Sequence, residues 1–85
     1  MEQHYYEDAS EIEKYLSKGV DCEVYPDYDN EDGSVVMVVV ITGDWKHAHA
    51  FADYTMEKLG YTLKRKSVTE SDGSDWYTAE HYYNT

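Results

Sequence analysis

The sequence predicts an α+β fold, with elements in the order α-β-β-α-β-β and a four-stranded, mostly antiparallel sheet carrying both helices on one face. Two stretches repeat apolar residues at three- and four-residue spacing, and each is followed by two stretches of period two or unbroken apolar character. The same plan occurs twice: Gly19 and Gly60 are offset by 41 residues, Gly33 and Gly73 by 40. Residue identity between the halves is poor, so the repeat is one of supersecondary structure. Eighty-five residues make one small domain, 1–85, with a core just large enough to fold without a staple.

Asp8-Ala9-Ser10-Glu11 reads as a capping box, and the first helix should follow it, with Ala9, Ile12, Tyr15 and Leu16 inward and Gly19 as a left-handed stop. From Val20 the period becomes two. Val20, Cys22 and Val24 share one face of a strand, while Asp21, Glu23, Tyr25 and Asp27 share the other. Pro26 lacks an amide donor and favours a sheet edge; Asp29-Asn30-Glu31-Asp32-Gly33 supplies a turn. The strand from Ser34 to Thr42 is apolar throughout Val35 to Ile41 and should be central. Its outward valines would form a patch on the helix-free face unless Tyr or Trp neighbours, a terminal segment or a second subunit cover them, which raises the expectation of a homodimer.

Asp44 should cap the second helix, with a stripe of Trp45, Ala48, Ala52, Met56 and Leu59 flanked by Phe51, and Gly60 should end it. Tyr61 to Thr69 alternates again, Ser71-Asp72-Gly73-Ser74 is a turn, and Asp75 to Tyr83 is an aromatic-rich last strand. A hairpin turning near Asp72-Gly73 would place His81 opposite Lys64 and Glu80 opposite Arg65.

Charge is the most pronounced feature of composition. The chain carries a net −11, and the first 32 residues hold eleven acids against Lys14 and Lys18 alone, a net of −9. Gly33 to Thr69 is +2 and Glu70 to Thr85 is −4. Residues two apart in a strand stand about 6.6 Å apart on one side, so Asp21, Glu23 and Asp27 form a row with Tyr25 inside it. Asp29, Glu31 and Asp32 extend the row, with Tyr28 beside them and Glu7 and Glu11 of the first helix as further acids. The row is half as dense as one DNA strand, which presents a phosphate per about 3.4 Å of axis. Ten tyrosines interleave with these acids; such rings grip Arg and Lys by cation-π contact as well as by burial. The competing reading is a solvated strand edge whose charges prevent aggregation.

Strong acidity opposes direct binding to nucleic acid or anionic membrane, and the lone basic run Lys64-Arg65-Lys66 is expected to pair with the protein's own acids. His47 and His49 lie two apart and cannot share a metal ion on a helix; His49 and Asp53 could supply two ligands, but no third is evident, so no cofactor or metal is expected. There is no glycine-rich phosphate loop or nucleophile elbow, so the chain is not expected to be an enzyme. Cys22, the single cysteine, reads as a small buried hydrophobe. The N-terminal residues lack the pattern of a signal peptide and the longest apolar run is far too short for a membrane span, so a reducing cytoplasm is the expected location.

Taken at the level of class, the size, the acids from Glu2 to Asp32, the interleaved tyrosines and the missing catalytic signature resemble small acidic phage-encoded anti-defence proteins, the anti-CRISPR proteins and DNA mimics. That resemblance implies an inhibitor, placed in a host cytoplasm, that docks on the basic nucleic-acid groove of a CRISPR-Cas effector or similar nuclease. The expected contacts are Asp21, Glu23, Tyr25, Asp27, Tyr28, Asp29, Glu31, Asp32, Glu7 and Glu11. The alternative is a homodimeric interaction or adaptor module whose acidity serves solubility.

Overall fold

A computed structural model describes residues 1–73 and 75–85. The elements follow the predicted order: α1 (Gln3–Leu16), β1 (Asp21–Tyr28), β2 (Val35–Asp44), a single π-helical turn (Trp45–His49) running into α2 (Ala50–Lys58), β3 (Thr62–Ser71) and β4 (Trp76–Asn84). All neighbouring strands pair antiparallel in the order β1-β2-β4-β3. None of the described helices is long and apolar enough to cross a membrane.

The two halves repeat one element order and spacing. β1 and β2 begin at residues 21 and 35, and β3 and β4 begin at 62 and 76, an offset of 41 in both cases. At the centre, Val39 pairs with His81 and Val40 with Glu80. The same offset carries Val39, on the helix side, to Glu80, on the helix-free face, so the repeat is one of element order and spacing and does not match side-chain facing.

The continuous apolar run makes β2 a central strand, fully buried at Val36, Met37, Val38, Val39 and Ile41. Met37, Val39 and Ile41 meet Ala9, Ile12 and Leu16 of α1, Ala48, Ala52 and Met56 of the second helical segment, Val24 and Tyr83 in one core. Val36 and Val38 point to the helix-free face and are still inaccessible. Tyr25 and Tyr82 flank Val38 in register across the sheet, and the β1–β2 turn is drawn over the same end by Lys64. The valine patch is therefore covered within the chain, by tyrosine neighbours, and needs no second subunit.

Four local expectations are corrected. Helix α1 begins at Gln3, so Asp8-Ala9-Ser10-Glu11 lies inside the helix and caps nothing; an amphipathic face already in phase lets the helix run back past a favourable cap. Gly19 has no positive φ: the chain leaves α1 through right-handed Ser17, with the amides of Gly19 and Val20 both donating to the Leu16 carbonyl. Asp44 does cap the second helix through the Ala48 amide, but the first turn is π-helical, and its wider winding swings Trp45 out and His49 in. Trp45 and Leu59 are exposed as a result, and the buried stripe is Ala48, His49, Ala52, Thr55 and Met56. The last hairpin pairs Lys66 with His81 and Arg65 with Tyr82, because the strands close with Ser71 opposite Tyr77, further from Asp72-Gly73 than predicted, and two bulges in β3 recover only part of the shift. The predicted turn Ser71–Ser74 includes Ser74, which lies outside the described residues. Gly60, with φ +94°, ends α2 as expected.

The edge strand β1 is sealed along its outer side. Glu13 of α1 accepts from the Val24 amide at 2.8 Å, Pro26 has no amide to offer, and Asp27 accepts from the Tyr28 amide at 2.8 Å. These are devices that stop a foreign strand from pairing there.

The π-turn packs so closely on β2 that a Cβ at Gly43 would stand 2.4 Å from the Ala48 Cβ. We expect Gly43→Ala to destabilise the fold by about 2 kcal/mol, in the overpacking range. In urea unfolding, adding Ala48→Gly should recover most of that loss beyond its own helix-propensity cost of about 1 kcal/mol; no recovery would mean that the clash is not the cause.

Candidate functional site

Period-two alternation in β1 puts Asp21, Glu23, Tyr25 and Asp27 on the face without helices, and all four are exposed. Pairing extends each position into a row across the sheet. Tyr25, Val38, Tyr82 and Arg65 form one row; Glu23, Val40, Glu80 and Ser67 form the next; Asp21, Thr42, Thr78 and Glu70 form a third. Strands lie about 4.8 Å apart, so Glu80 adds a second line of charge roughly 10 Å from β1. The only cation in these rows, Arg65, stacks on the Tyr82 ring at 3.9 Å and lies 3.9 Å from Asp29.

The tyrosines register the negative field. Burial, and then Glu80, Asp27 and Glu23 in that order, push the Tyr25 hydroxyl above its usual value. Tyr82 donates to Glu80, and that bond, together with burial and the Glu80 charge, holds its hydroxyl up at about 12.

The other six predicted contacts lie elsewhere. Asp29 is buried, with one oxygen 2.8 Å from the Lys64 ammonium and the other accepting from the Glu31 amide. Asp32 also meets Lys64 at 2.8 Å and accepts from Ser34, and Lys64 holds both carboxyls below the usual carboxylate range. Their charges are spent in pinning the turn across the sheet; of that cluster Glu31 and Asp32 are exposed, and Asp32 is paired with Lys64. The basic run does pair internally, as expected. Tyr28 has the parity of Val24 and so turns to the helix side, where it lines a shallow hollow with Tyr5. Glu7 and Glu11 are exposed on α1, in the layer behind the sheet. Sequence reasoning missed Glu80, because the register it assumed gave that residue to Arg65.

A second constellation lies under α2. His49 Nδ1 is 3.0 Å from His81 Nε2, His81 Nδ1 is 2.8 Å from Asp53 Oδ1, and the Tyr83 hydroxyl donates to the same oxygen. His49 Nε2 lies 3.1 Å from the carbonyls of Gly43 and Tyr77, and its ring stacks on Tyr77 at 4.1 Å. The Gly43 and Tyr77 carbonyls and the Asp53 carboxylate only accept, so the ring protons belong on His49 Nε2 and His81 Nδ1, and His49 Nδ1 and His81 Nε2 face each other. Burial, above all, keeps His49 below the ordinary histidine value. Burial works to raise Asp53, but the bonds from His81 and Tyr83 outweigh it and hold the carboxyl down. Both imidazoles are almost inaccessible, at 2% and 0% exposure, so they cannot meet a substrate. The arrangement is a polar clamp between α2 and β4. His47 points away to the surface and bonds Asp44 at 2.6 Å.

Among the described residues no three His, Cys, Asp or Glu side chains converge as metal ligands. Cys22 is half-buried, and burial pushes its thiol up, the opposite of an activated nucleophile. The fold and site thus define a two-layer α+β domain with a helix-backed, acid-and-tyrosine sheet face. Neither a family model, a curated protein nor a solved structure matches the chain.

Proposed function

We propose that the chain is a binding protein, not a catalyst, that docks its helix-free sheet face on the Lys/Arg-lined nucleic-acid groove of a host defence nuclease and so inhibits it. One observation carries the reading: Asp21, Glu23, Asp27 and Glu80 share a single face with Tyr25, and the one cation in its paired rows among the described residues, Arg65, is already stacked and faces a carboxylate. That face stays acidic because the turn acids take up Lys64, leaving the strand acids unneutralised. The free thiol of Cys22 fits a reducing host cytoplasm. Tyrosines beside the carboxylates offer ring faces to arginine and lysine.

Complementary charge steers association and is screened by salt, so affinity should fall steeply as ionic strength rises. The immobilised protein should capture a nucleic-acid-binding protein from host lysate, and both salt and duplex oligonucleotide should release it. Reversing Asp21, Glu23 and Asp27 together to Lys should weaken capture more than tenfold with the fold intact by circular dichroism. A captured partner with no basic groove, or one retained equally at low and high salt, would sink the proposal.

A further inference from the structure

In the helix layer, a groove between α1 and the chain that leaves α2 is walled by groups that the fold does not use. Asp8, Glu11 and Tyr15 of α1 line a hollow of about 310 Å³ together with Leu59 and Tyr61. Gly60, at φ +94°, makes the reversal that puts Leu59 and Tyr61 on this one wall. Two further hollows, of about 330 and 380 Å³, share Tyr61 and carry the groove on past Gly60 to Glu57 and Leu63. Each lies at the small end of the range for ligand sites. Tyr15, Leu59 and Leu63 are 57%, 53% and 41% exposed, so apolar surface runs the length of the groove.

Among the described residues, the side chains of Asp8, Glu11, Glu57, Tyr15 and Tyr61 make no hydrogen bond, ion pair or ring contact. They are open to a ligand. Asp8 is half-buried, where a carboxylate ordinarily has a partner. Burial, and then the Asp8 charge, push the Tyr61 hydroxyl above its usual value, which sets that carboxylate beside the ring. Asp53 also lines the groove, but its bonds to His81 and Tyr83 commit it to the clamp. No lysine or arginine of the described residues lines any of the three hollows. The groove is therefore apolar along its walls and uncompensated in charge. Asp8 and Glu11 stand one turn apart on one helix face, offering two separate carboxylates. An ammonium, with three rotatable donors on an apolar stem, can serve both, whereas a planar guanidinium is best matched to a single carboxylate.

We propose that this groove is a second docking surface, which takes a lysine-bearing apolar peptide segment of a partner protein, one lysine stem lying on Leu59 with its ammonium shared by Asp8 and Glu11. The groove lies behind the sheet, so it can be filled while the acidic strand face is engaged, and the proposal does not rest on the reading of that face. A second copy of the chain is a poor donor. Two copies, each at net −11, repel, and the basic run Lys64-Arg65-Lys66 is held by Asp29, Asp32, Tyr82 and Tyr77 of its own fold.

The test is an NMR titration of the full ¹⁵N-labelled chain with acetyl-Leu-Lys-Leu amide in about 0.1 M salt, where attraction beyond about 10 Å is screened. The amides of Glu11, Leu59 and Tyr61 should shift saturably, with affinity about fivefold above that for the peptide carrying uncharged norleucine in place of lysine. Asp8→Asn with Glu11→Gln should remove most of that preference, and Leu59→Ser should weaken both peptides, each variant checked for folding by circular dichroism. Reversing Glu23 and Asp27 to Lys should leave the preference in place. Equal affinity for the two peptides, shifts confined to the strand face, or spermidine bound as tightly as the lysine peptide would overturn the proposal. So would a dimer of the free chain in sedimentation that Asp8→Asn with Glu11→Gln dissociates, because a second copy would then be the occupant. Any of these results leaves the strand-face reading standing, since that reading is tested by partner capture.

Discussion

Replacing His81 with Ala should lower the free energy of unfolding by about 4 kcal/mol, the range seen when one member of a buried charged network is removed. For a domain of this size that corresponds to a fall in melting temperature of roughly 20 °C. His81 is fully buried between two partners, His49 at 3.0 Å and Asp53 at 2.8 Å, and its loss orphans both while leaving a cavity under α2. Asp53 is 39% exposed in its side chain and can recover water; His49 Nδ1 cannot. Asp53→Asn separates bonding from packing, since it keeps the volume and removes only the charge; a loss of about half the His81→Ala value is expected, as one charged bond is worth roughly 2 kcal/mol. His47→Ala, at an exposed position, should stay within about 0.5 kcal/mol of the parent. A loss under about 1 kcal/mol for His81→Ala in urea or thermal unfolding would mean that the clamp contributes little to holding α2 on the sheet.

The clamp also shows where sequence reading stops. Element order, the central position of β2, the edge position of β1 and the exposure of Asp21, Glu23, Tyr25 and Asp27 all follow from local periodicity, which acts over a few residues and is visible in one chain. The pairing of His49 and Asp53 with a histidine 32 residues after His49 depends on two things periodicity does not report. One is the π-turn, which rotates His49 inward where a regular helix would have put Trp45 on the buried stripe. The other is the register of β4 on β2, which sets His81 opposite Val39 under α2. The register of β3 on β4 decides the candidate site. A turn centred at Asp72-Gly73 would have set Arg65 against Glu80; the hairpin instead closes with Ser71 opposite Tyr77, which puts Arg65 on Tyr82 and leaves Glu80 as a fourth acid of the face, bonded to Tyr82. Acids in a turn are ordinarily solvated, so sequence places Asp29 and Asp32 with the surface acids, and only the long reach to Lys64 on the far edge strand reveals them as fasteners.

Stability should fall on acidification in two separable limbs. His49 is held below its ordinary value of 6.5, chiefly by burial, so the unfolded chain takes up a proton there before the folded one does. Stability then rises with pH through that window, so it is intact above about pH 6.5 and declines below it, with a slope approaching about 1.4 kcal/mol per pH unit where the excess is one proton. The structural reason is specific. A proton on His49 Nδ1 would face His81 at 3.0 Å, with the Gly43 and Tyr77 carbonyls already occupying Nε2, the Tyr77 ring against its face and Lys66 adding positive potential from β3. The carboxylate of this cluster, Asp53, is already bonded to His81 and Tyr83. The second limb belongs to carboxyls held below 3.8: Asp29 and Asp32 by Lys64, and Asp53 by His81 and Tyr83 against the opposing pull of burial. Their contribution is present above about pH 4 and is lost as pH falls through their depressed values. Urea unfolding at half-unit steps from pH 7.5 to 3 should resolve both limbs, and His49→Gln should flatten the upper one while leaving the lower in place. A free energy constant from pH 7 to 5.5 in the parent protein, or an upper limb that persists in His49→Gln, would show that the buried imidazole is not what acid attacks first.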